Sequence, residues 1–134
     1  MTRILLIEDD TVIRRVISLN LVNAGYTVFE ATHGADALLQ LRKNPTDLVI
    51  TDMLMPEMDG VETIQQLRRT FPTLKIIAIS GGGMASADYY LKIARELGVS
   101  KTLKKPFTFP ELGKRVREVL NKIELEEPRF KKVA

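Results

Sequence analysis

The sequence predicts an α/β fold, an open doubly wound sandwich built on one five-stranded parallel sheet. Short apolar runs rich in β-branched residues recur about every twenty residues along the chain. A segment with helical periodicity follows each run, and this alternation of strand and helix is typical of βα units. Right-handed crossovers between parallel strands place helices on both faces of such a sheet. The 134 residues have room for one domain of this kind.

Five runs are predicted to be strands. The first, third and fourth are nearly unbroken apolar stretches, which is typical of strands covered on both faces. The second and fifth are more polar and are predicted to lie at or near the edges of the sheet. The predicted strands are Ile4–Ile7, Thr27–Phe29, Asp47–Thr51, Lys75–Ile79 and Lys101–Lys104.

Five helices are predicted between and after these strands. Gly25 supplies a left-handed C-terminal cap for the first, and Gly98 follows the fourth. Pro45 closes the second because proline cannot continue a helix, and Pro110 suits the first turn of the fifth. The predicted helices are Thr11–Ala24, Ala35–Lys43, Val61–Thr70, Ser86–Leu97 and Pro110–Ile123.

These elements predict a single domain over residues 1–123. Residues 124–134 contain Pro128 and mixed charge, and they are predicted to form a frayed or disordered tail. No repeat, low-complexity stretch or linker divides the chain.

The composition excludes several classes of function. The absence of Cys rules out disulfides, thiolate metal sites and thiol nucleophiles, and it fits a reducing cytoplasm. No apolar stretch approaches the roughly 20 residues of a membrane span, so no membrane contact is expected. The net charge of +3 comes from scattered basic residues, so no direct nucleic-acid binding is expected. The single His rules out a His-rich metal site.

Polar side chains follow four of the five predicted strands, at the point where each strand ends. Because the carboxyl ends of parallel strands meet at one edge of the sheet, these side chains are expected to lie together. They are Glu8, Asp9 and Asp10 after the first strand, Asp52 after the third, Ser80 after the fourth and Lys105 after the fifth.

This set of side chains suits phosphoryl chemistry. Crowded carboxylates are costly unless a cation joins them, and hard oxygen ligands favour Mg²⁺. A carboxylate nucleophile with a hydroxyl and an ammonium as phosphate-oxygen ligands can form and hold an aspartyl-phosphate.

Each residue alone also has a plainer interpretation. The acidic run can cap the first helix, Asp52 can be a turn residue, and Ser80 before Gly81–Gly83 can be part of a loop. The joint placement of these residues at strand ends favours a site. His33, next to Gly34, is predicted to be a helix-entry residue.

The sequence resembles the receiver domain of two-component response regulators over about residues 2 to 123. The Asp-x-x-x-Pro-x-x-x-Gly spacing and the Lys-Pro-Phe triplet are highly specific to that family. The matching segments are Ile4–Asp10, Asp52–Gly60, Ser80–Gly81 and Lys104–Phe107. The resemblance implies a flavodoxin-like (βα)5 fold.

The resemblance also implies roles for the acidic residues. Asp52 is the implied phosphoacceptor. Glu8 and Asp9 are the acidic pair, in which Asp9 ligates Mg²⁺ directly and Glu8 acts mainly through water. Asp52 and the backbone carbonyl of Leu54 complete the implied protein ligands. Asp10 is predicted to cap the first helix.

Ser80 and Lys105 are implied to bind phosphoryl oxygens, with Ser80 as the switch hydroxyl. The implied partners are a sensor histidine kinase or a histidine phosphotransfer protein, and a downstream protein target. The sequence departs from the family pattern at Thr102, where an aromatic switch residue is usual. The segment between Ser80 and Lys105 is also longer than the family norm by about one helical turn.

The predicted function is that of a stand-alone receiver, a phosphorylation-controlled binding module and not an enzyme. One alternative is a Mg²⁺-dependent phosphohydrolase with an Asp nucleophile. That chemistry wants an acid–base carboxylate close after the nucleophile, and Met53 and Leu54 offer none. A nucleotide-binding fold using Ser80–Gly83 is a poorer match, because neither the G-x-G-x-x-G nor the P-loop pattern is present.

The first helix suggests a docking surface. A sheet-facing stripe of Ile13, Ile17, Leu21 and Ala24 satisfies helical periodicity by itself. Val12, Val16 and Leu19 then add apolar surface for a partner; the alternative is that Val16 and Leu19 complete the core.

Overall fold

The computed structural model describes residues 2–53, 60–81 and 86–126, with side chains to residue 121, and strands and helices alternate strictly in this part of the chain. The elements are β1 (Arg3–Ile7), α1 (Thr11–Asn23), β2 (Thr27–Ala31), α2 (Gly34–Lys43), β3 (Leu48–Asp52), α3 (Gly60–Thr70), β4 (Lys75–Ser80), α4 (Ala87–Glu96), β5 (Lys101–Lys104) and α5 (Phe109–Glu126).

The sheet is parallel throughout, with the strand order β2-β1-β3-β4-β5. This order confirms that the two more polar strands lie at the edges. Asp52 pairs in register with Ile79, and Ser80 pairs with Lys104. The register therefore brings the carboxyl ends of β3, β4 and β5 to the same level.

Apolar side chains form one cluster on each face of the sheet. Leu5 and Ile7 point to the cluster that includes residues of α2, α3 and α4, whereas Ile4 and Leu6 point to the one that includes residues of α1 and α5. Successive side chains of a strand point to opposite faces, so β1 supplies both clusters. The doubly wound flavodoxin-like sandwich is confirmed.

Several helix ends agree with the sequence prediction. Asp10 caps α1 by accepting the backbone N–H of Ile13, and His33 caps α2 by accepting that of Asp36 through Nδ1. Gly25 has a φ of 101°, in the left-handed region that favours glycine after a helix. None of the helices in the described ranges is long and apolar enough to cross a membrane.

The C-terminal helix differs from its prediction. It runs to Glu126, three residues past the predicted end at Ile123. Glu124, Leu125 and Glu126 are good helix formers, and the helix continues over them. The rest of that tail, residues 127–134, lies outside the described residues, and the domain limit at residue 123 stays a prediction.

The buried face of α1 also differs from its prediction. Ile17 and Leu21 are buried as predicted, but Ile13 and Ala24 are exposed. The buried residues of the helix are Arg14, Ile17, Ser18 and Leu21. The buried stripe of α1 therefore starts at Arg14 and not at Ile13, because the Arg14 side chain has hydrogen-bond partners inside the fold.

The apolar residues on the opposite side of α1 are open to solvent. Val12 is 72% exposed, Val16 41% and Leu19 62%. The alternative that Val16 and Leu19 complete the core is therefore wrong.

Candidate functional site

The acidic run lies where β1 passes into α1. Glu8 is buried, and its backbone N–H donates to the carbonyl of Ala31 at 3.0 Å, which continues the pairing of β1 with β2. The backbone N–H of Asp10 donates to Glu8 Oε2 at 3.2 Å. Asp9, between them, is exposed to solvent. The three carboxylates thus take different tasks: one is held inside, one faces outward and one caps the helix.

Asp52 is the last residue of β3 and is 6% exposed. The next residue, Met53, donates its backbone N–H to the carbonyl of Ile79 at 2.8 Å and accepts that of Gly60 at 2.9 Å. A Cβ on Gly60 would collide with the Cα of Met53 and lie 2.9 Å from the carbonyl oxygen of Asp52. The glycine eight positions after Asp52 is therefore required by close backbone packing beside the carboxylate. This need for Gly60 gives a physical reason for the Asp-to-Gly spacing in the sequence.

Lys105 connects the two sides of the site. Its ammonium lies 2.9 Å from Asp52 Oδ2 and 3.3 Å from Glu8 Oε1. Its backbone N–H donates to the carbonyl of Ser80 at 2.9 Å, so the strand ends of β4 and β5 fix where the side chain starts. Ser80 itself is fully buried at the end of β4.

The electrostatics of the site favour a bound cation. Burial, helped by the charge of Asp52, raises the pKa of Glu8 to about 7 in the protein without metal. Burial alone would lower the pKa of Lys105, but its hydrogen bond to Asp52 and the charges of Asp52 and Glu8 outweigh that effect and raise it. Lys105 therefore stays charged, and one ammonium has to balance a crowded set of carboxylates.

Glu8, Asp9 and Asp52 fit a divalent cation. Each offers one carboxylate oxygen, and these oxygens lie within 4.8 Å of one another. An all-oxygen set that leaves room for water is the kind of site in which Mg²⁺ binds. Leu54, whose backbone carbonyl was predicted as a further ligand, lies outside the described residues, and so do Gly82 and Gly83.

The arrangement has the parts needed to accept a phosphoryl group. Asp52 offers a buried carboxylate at the end of a central strand of the sheet. Lys105 supplies a fixed positive charge beside it, and the acidic pair supplies oxygen ligands for a cation. Fixed positive charge where phosphoryl oxygens gather is the main requirement of this chemistry.

The sequence prediction missed the buried position of Arg14 and the hydrogen bonds that its side chain makes. Its guanidinium donates to the backbone carbonyl of Glu8 and to the carboxylate of Glu30, both at 2.9 Å. The available signal was the spacing of Arg14 with Ile17, Ser18 and Leu21, which places the arginine on the buried face of the helix. The predicted stripe, which starts at Ile13, does not include Arg14, and arginine is rarely buried without a partner.

Comparison with known proteins identifies close relatives. The sequence matches the family profile of the response regulator receiver domain over residues 4–117. It is 37% identical over 120 residues to the response regulator receiver protein CpdR of Brucella abortus, covering 90% of this chain and 98% of CpdR. The chain spans about half the length of several other curated relatives that it matches.

Solved structures agree with the sequence match. A receiver domain protein of Clostridium thermocellum superposes with a TM-score of 0.87 at 26% identity, over 95% of this chain and all of that one. TrrA of Thermotoga maritima, solved in complex with Mg²⁺ and BeF, superposes with a TM-score of 0.78 at 29% identity, over 89% of this chain and 99% of TrrA.

Proposed function

Because this chain belongs to the response regulator receiver domain family, a family of signalling modules, we propose that it takes a phosphoryl group on Asp52 from a phosphohistidine. The donor is a sensor histidine kinase or a histidine phosphotransfer protein in the cytoplasm, and the phosphorylated chain signals by binding a downstream protein. The observation that carries the proposal is the position of the Lys105 ammonium between Asp52 and Glu8, at the carboxyl edge of the sheet. That the receiver works alone, without an output domain of its own, stays a prediction.

The transfer is an in-line displacement at phosphorus. An oxygen of the Asp52 carboxylate forms the new P–O bond while the P–N bond to the donor imidazole breaks, and the imidazole leaves with its electron pair. Lys105 turns from the Asp52 oxygen to an oxygen of the incoming group, and Ser80 donates its hydroxyl to another. Mg²⁺ held by Glu8, Asp9 and Asp52 would neutralise charge on the phosphoryl oxygens.

Labelling of the purified chain tests this proposal. A small phosphodonor with Mg²⁺ is expected to place one stoichiometric phosphate on the chain, stable in acid and labile in alkali. Continuous turnover of added phosphomonoesters without a stable label would contradict the proposal and indicate a phosphohydrolase.

We expect the exposed side of α1 to dock the phosphodonor protein. Val12 and Leu19 stand on one solvent-facing stripe, and Val12 is two residues after the cap of the helix that starts at the site. Val12→Asp and Leu19→Asp should each slow kinase-driven phosphotransfer about tenfold, since burying a charge in an apolar interface costs more than 1 kcal/mol. Phosphotransfer rates from the kinase measure this effect.

Two controls isolate docking from folding and chemistry. Leu39→Asp changes a similarly exposed leucine on α2, which packs on the other face of the sheet, and it should leave phosphotransfer unchanged. Labelling by a small phosphodonor should be the same in all variants. Unchanged kinase-driven transfer in both α1 variants would contradict the docking surface.

We expect the phosphorylation switch to act through α4. Ser80 ends β4, and the chain runs from it through a glycine-rich segment into α4, which begins at Ala87. Thr102, at the position usually aromatic in this family, accepts a hydrogen bond from Arg95 of α4 at 3.3 Å. A hydroxyl drawn toward the phosphoryl group is therefore expected to shift α4 in a population shift between two states.

Amide hydrogen exchange with and without phosphorylation measures this shift. Exchange should change across residues 81 to 97. Changes confined to α2 would contradict the account.

A further inference from the structure

We propose that Arg14 is a positioning residue for the acidic pair, holding Glu8 and Asp9 in the geometry that binds Mg²⁺. The inference rests on the proposed function, because it concerns the cation that the function requires. The Arg14 guanidinium bonds the backbone carbonyl of Glu8, so it acts on the acidic pair through the backbone.

The guanidinium of Arg14 connects three elements. It projects from the first turn of α1 and is 8% exposed. Nη1 donates to the carbonyl of Glu8, just after β1, and Nε donates to Oε1 of Glu30 on β2, each at 2.9 Å. A planar guanidinium makes such bonds in two fixed directions at once, which a lysine ammonium does not reproduce.

These bonds hold Glu8 from both sides. Its backbone N–H is tied to Ala31 of β2, and its carbonyl is tied to Arg14. The backbone N–H of Arg14 in turn donates to the carbonyl of Asp10 at 2.9 Å. The segment from Glu8 to Asp10, which carries the acidic pair, is thus closed into a loop by Arg14 of α1. Without the guanidinium, a buried carbonyl next to Asp9 loses its partner, and the loop has to move to recover one.

The charge of Arg14 is balanced away from the metal ligands. Glu30 accepts from Arg14 at 2.9 Å and lies 3.6 Å from the exposed Arg15. The opposite charges of Arg14 and Glu30 offset each other, so we assign the effect on Mg²⁺ to the geometry that their bonds impose. Residues that orient metal ligands without touching the metal typically change metal affinity by about 10- to 100-fold.

The first test is the Mg²⁺ dissociation constant of Arg14→Lys, which keeps the charge and loses the two-directional donor. We expect binding about tenfold weaker than in the wild type. The constant is obtained from amide chemical shifts during Mg²⁺ titration, at a temperature where circular dichroism shows each variant folded. In the metal-free protein, amide exchange at residues 8–10 should be faster. Arg15→Gln, which removes an exposed arginine near the same carboxylate, is the matched control and should bind Mg²⁺ as the wild type does.

A second pair of variants tests the inference even if Arg14→Lys does not fold. Glu30→Gln and Glu30→Ala lose the same charge, but only glutamine keeps an oxygen that can accept from Nε. Glu30→Gln is expected to bind Mg²⁺ more tightly than Glu30→Ala. Equal constants for these two, or an unchanged constant in a folded Arg14→Lys, would overturn the inference alone. A wild-type protein that does not bind Mg²⁺ would overturn the proposed function as well.

Discussion

Asp52→Asn is expected to abolish labelling of the protein by a small phosphodonor in the presence of Mg²⁺. The amide keeps the shape of the side chain and can still accept a hydrogen bond from Lys105, which lies 2.9 Å from Oδ2. It is not a nucleophile at neutral pH, so no P–O bond forms. Removing one of the crowded carboxylates also relieves repulsion, so the variant is expected to fold.

Two comparisons make the loss specific. Asp36→Asn changes a carboxylate on α2 that accepts a hydrogen bond from Gln40, and the amide oxygen of Asn can accept the same bond. This variant should be labelled to the same extent as the wild type. Asp9→Asn should label more weakly at a given Mg²⁺ concentration and recover at higher concentration, because it removes a predicted ligand and leaves the nucleophile. Substantial labelling of Asp52→Asn would show that another residue accepts the phosphate.

The second large effect concerns the lifetime of the phosphate. Water attacks an aspartyl-phosphate in line, and a polar side chain that orients this water speeds the loss. We expect two positions to decide this, two residues after Asp52 and two residues after Ser80. They hold Leu54, which is apolar, and Gly82, which has no side chain. The phosphate is therefore expected to be long-lived, and Leu54→Asn should shorten its lifetime by roughly 10- to 100-fold, which corresponds to about 1–3 kcal/mol.

The measurement is the decay of phosphorylated protein after the donor is removed. Leu39→Asn makes the same substitution at an exposed site on α2 and should leave the decay unchanged. If the wild type loses its phosphate as fast as Leu54→Asn does, Leu54 is not what protects it. An external phosphatase would then have to set the lifetime.

The fold was predictable because local and global signals agree along this chain. The apolar runs Ile4–Ile7 and Leu48–Ile50 are too continuous for one-sided strands, and the structure buries them completely. The rule that polar residues at parallel strand ends converge then placed Asp52 and Lys105 near Glu8, and the structure puts the Lys105 ammonium in contact with both. These predictions need only periodicity and topology.

What escaped prediction depends on contacts between residues far apart in the sequence. Arg14 and Glu30 are separated by 16 residues, and only the pairing of β1 with β2 brings Glu30 within reach of the helix. Without that partner, the charge on Arg14 is a reason to expect an exposed position, and the stripe predicted from apolar periodicity starts at Ile13. The end of α5 escaped for a different reason, since a gradual loss of apolar periodicity does not mark where a helix stops.

The most direct test of the account is to locate the phosphate chemically. Borohydride reduces an aspartyl-phosphate to homoserine, so peptide mapping of the reduced, phosphorylated chain reports which residue carried it. We predict homoserine at position 52 and aspartate at positions 9 and 10. Homoserine at another position, or phosphate on a Ser, Thr or His side chain, would contradict the central claim that this edge of the sheet accepts a phosphoryl group on Asp52.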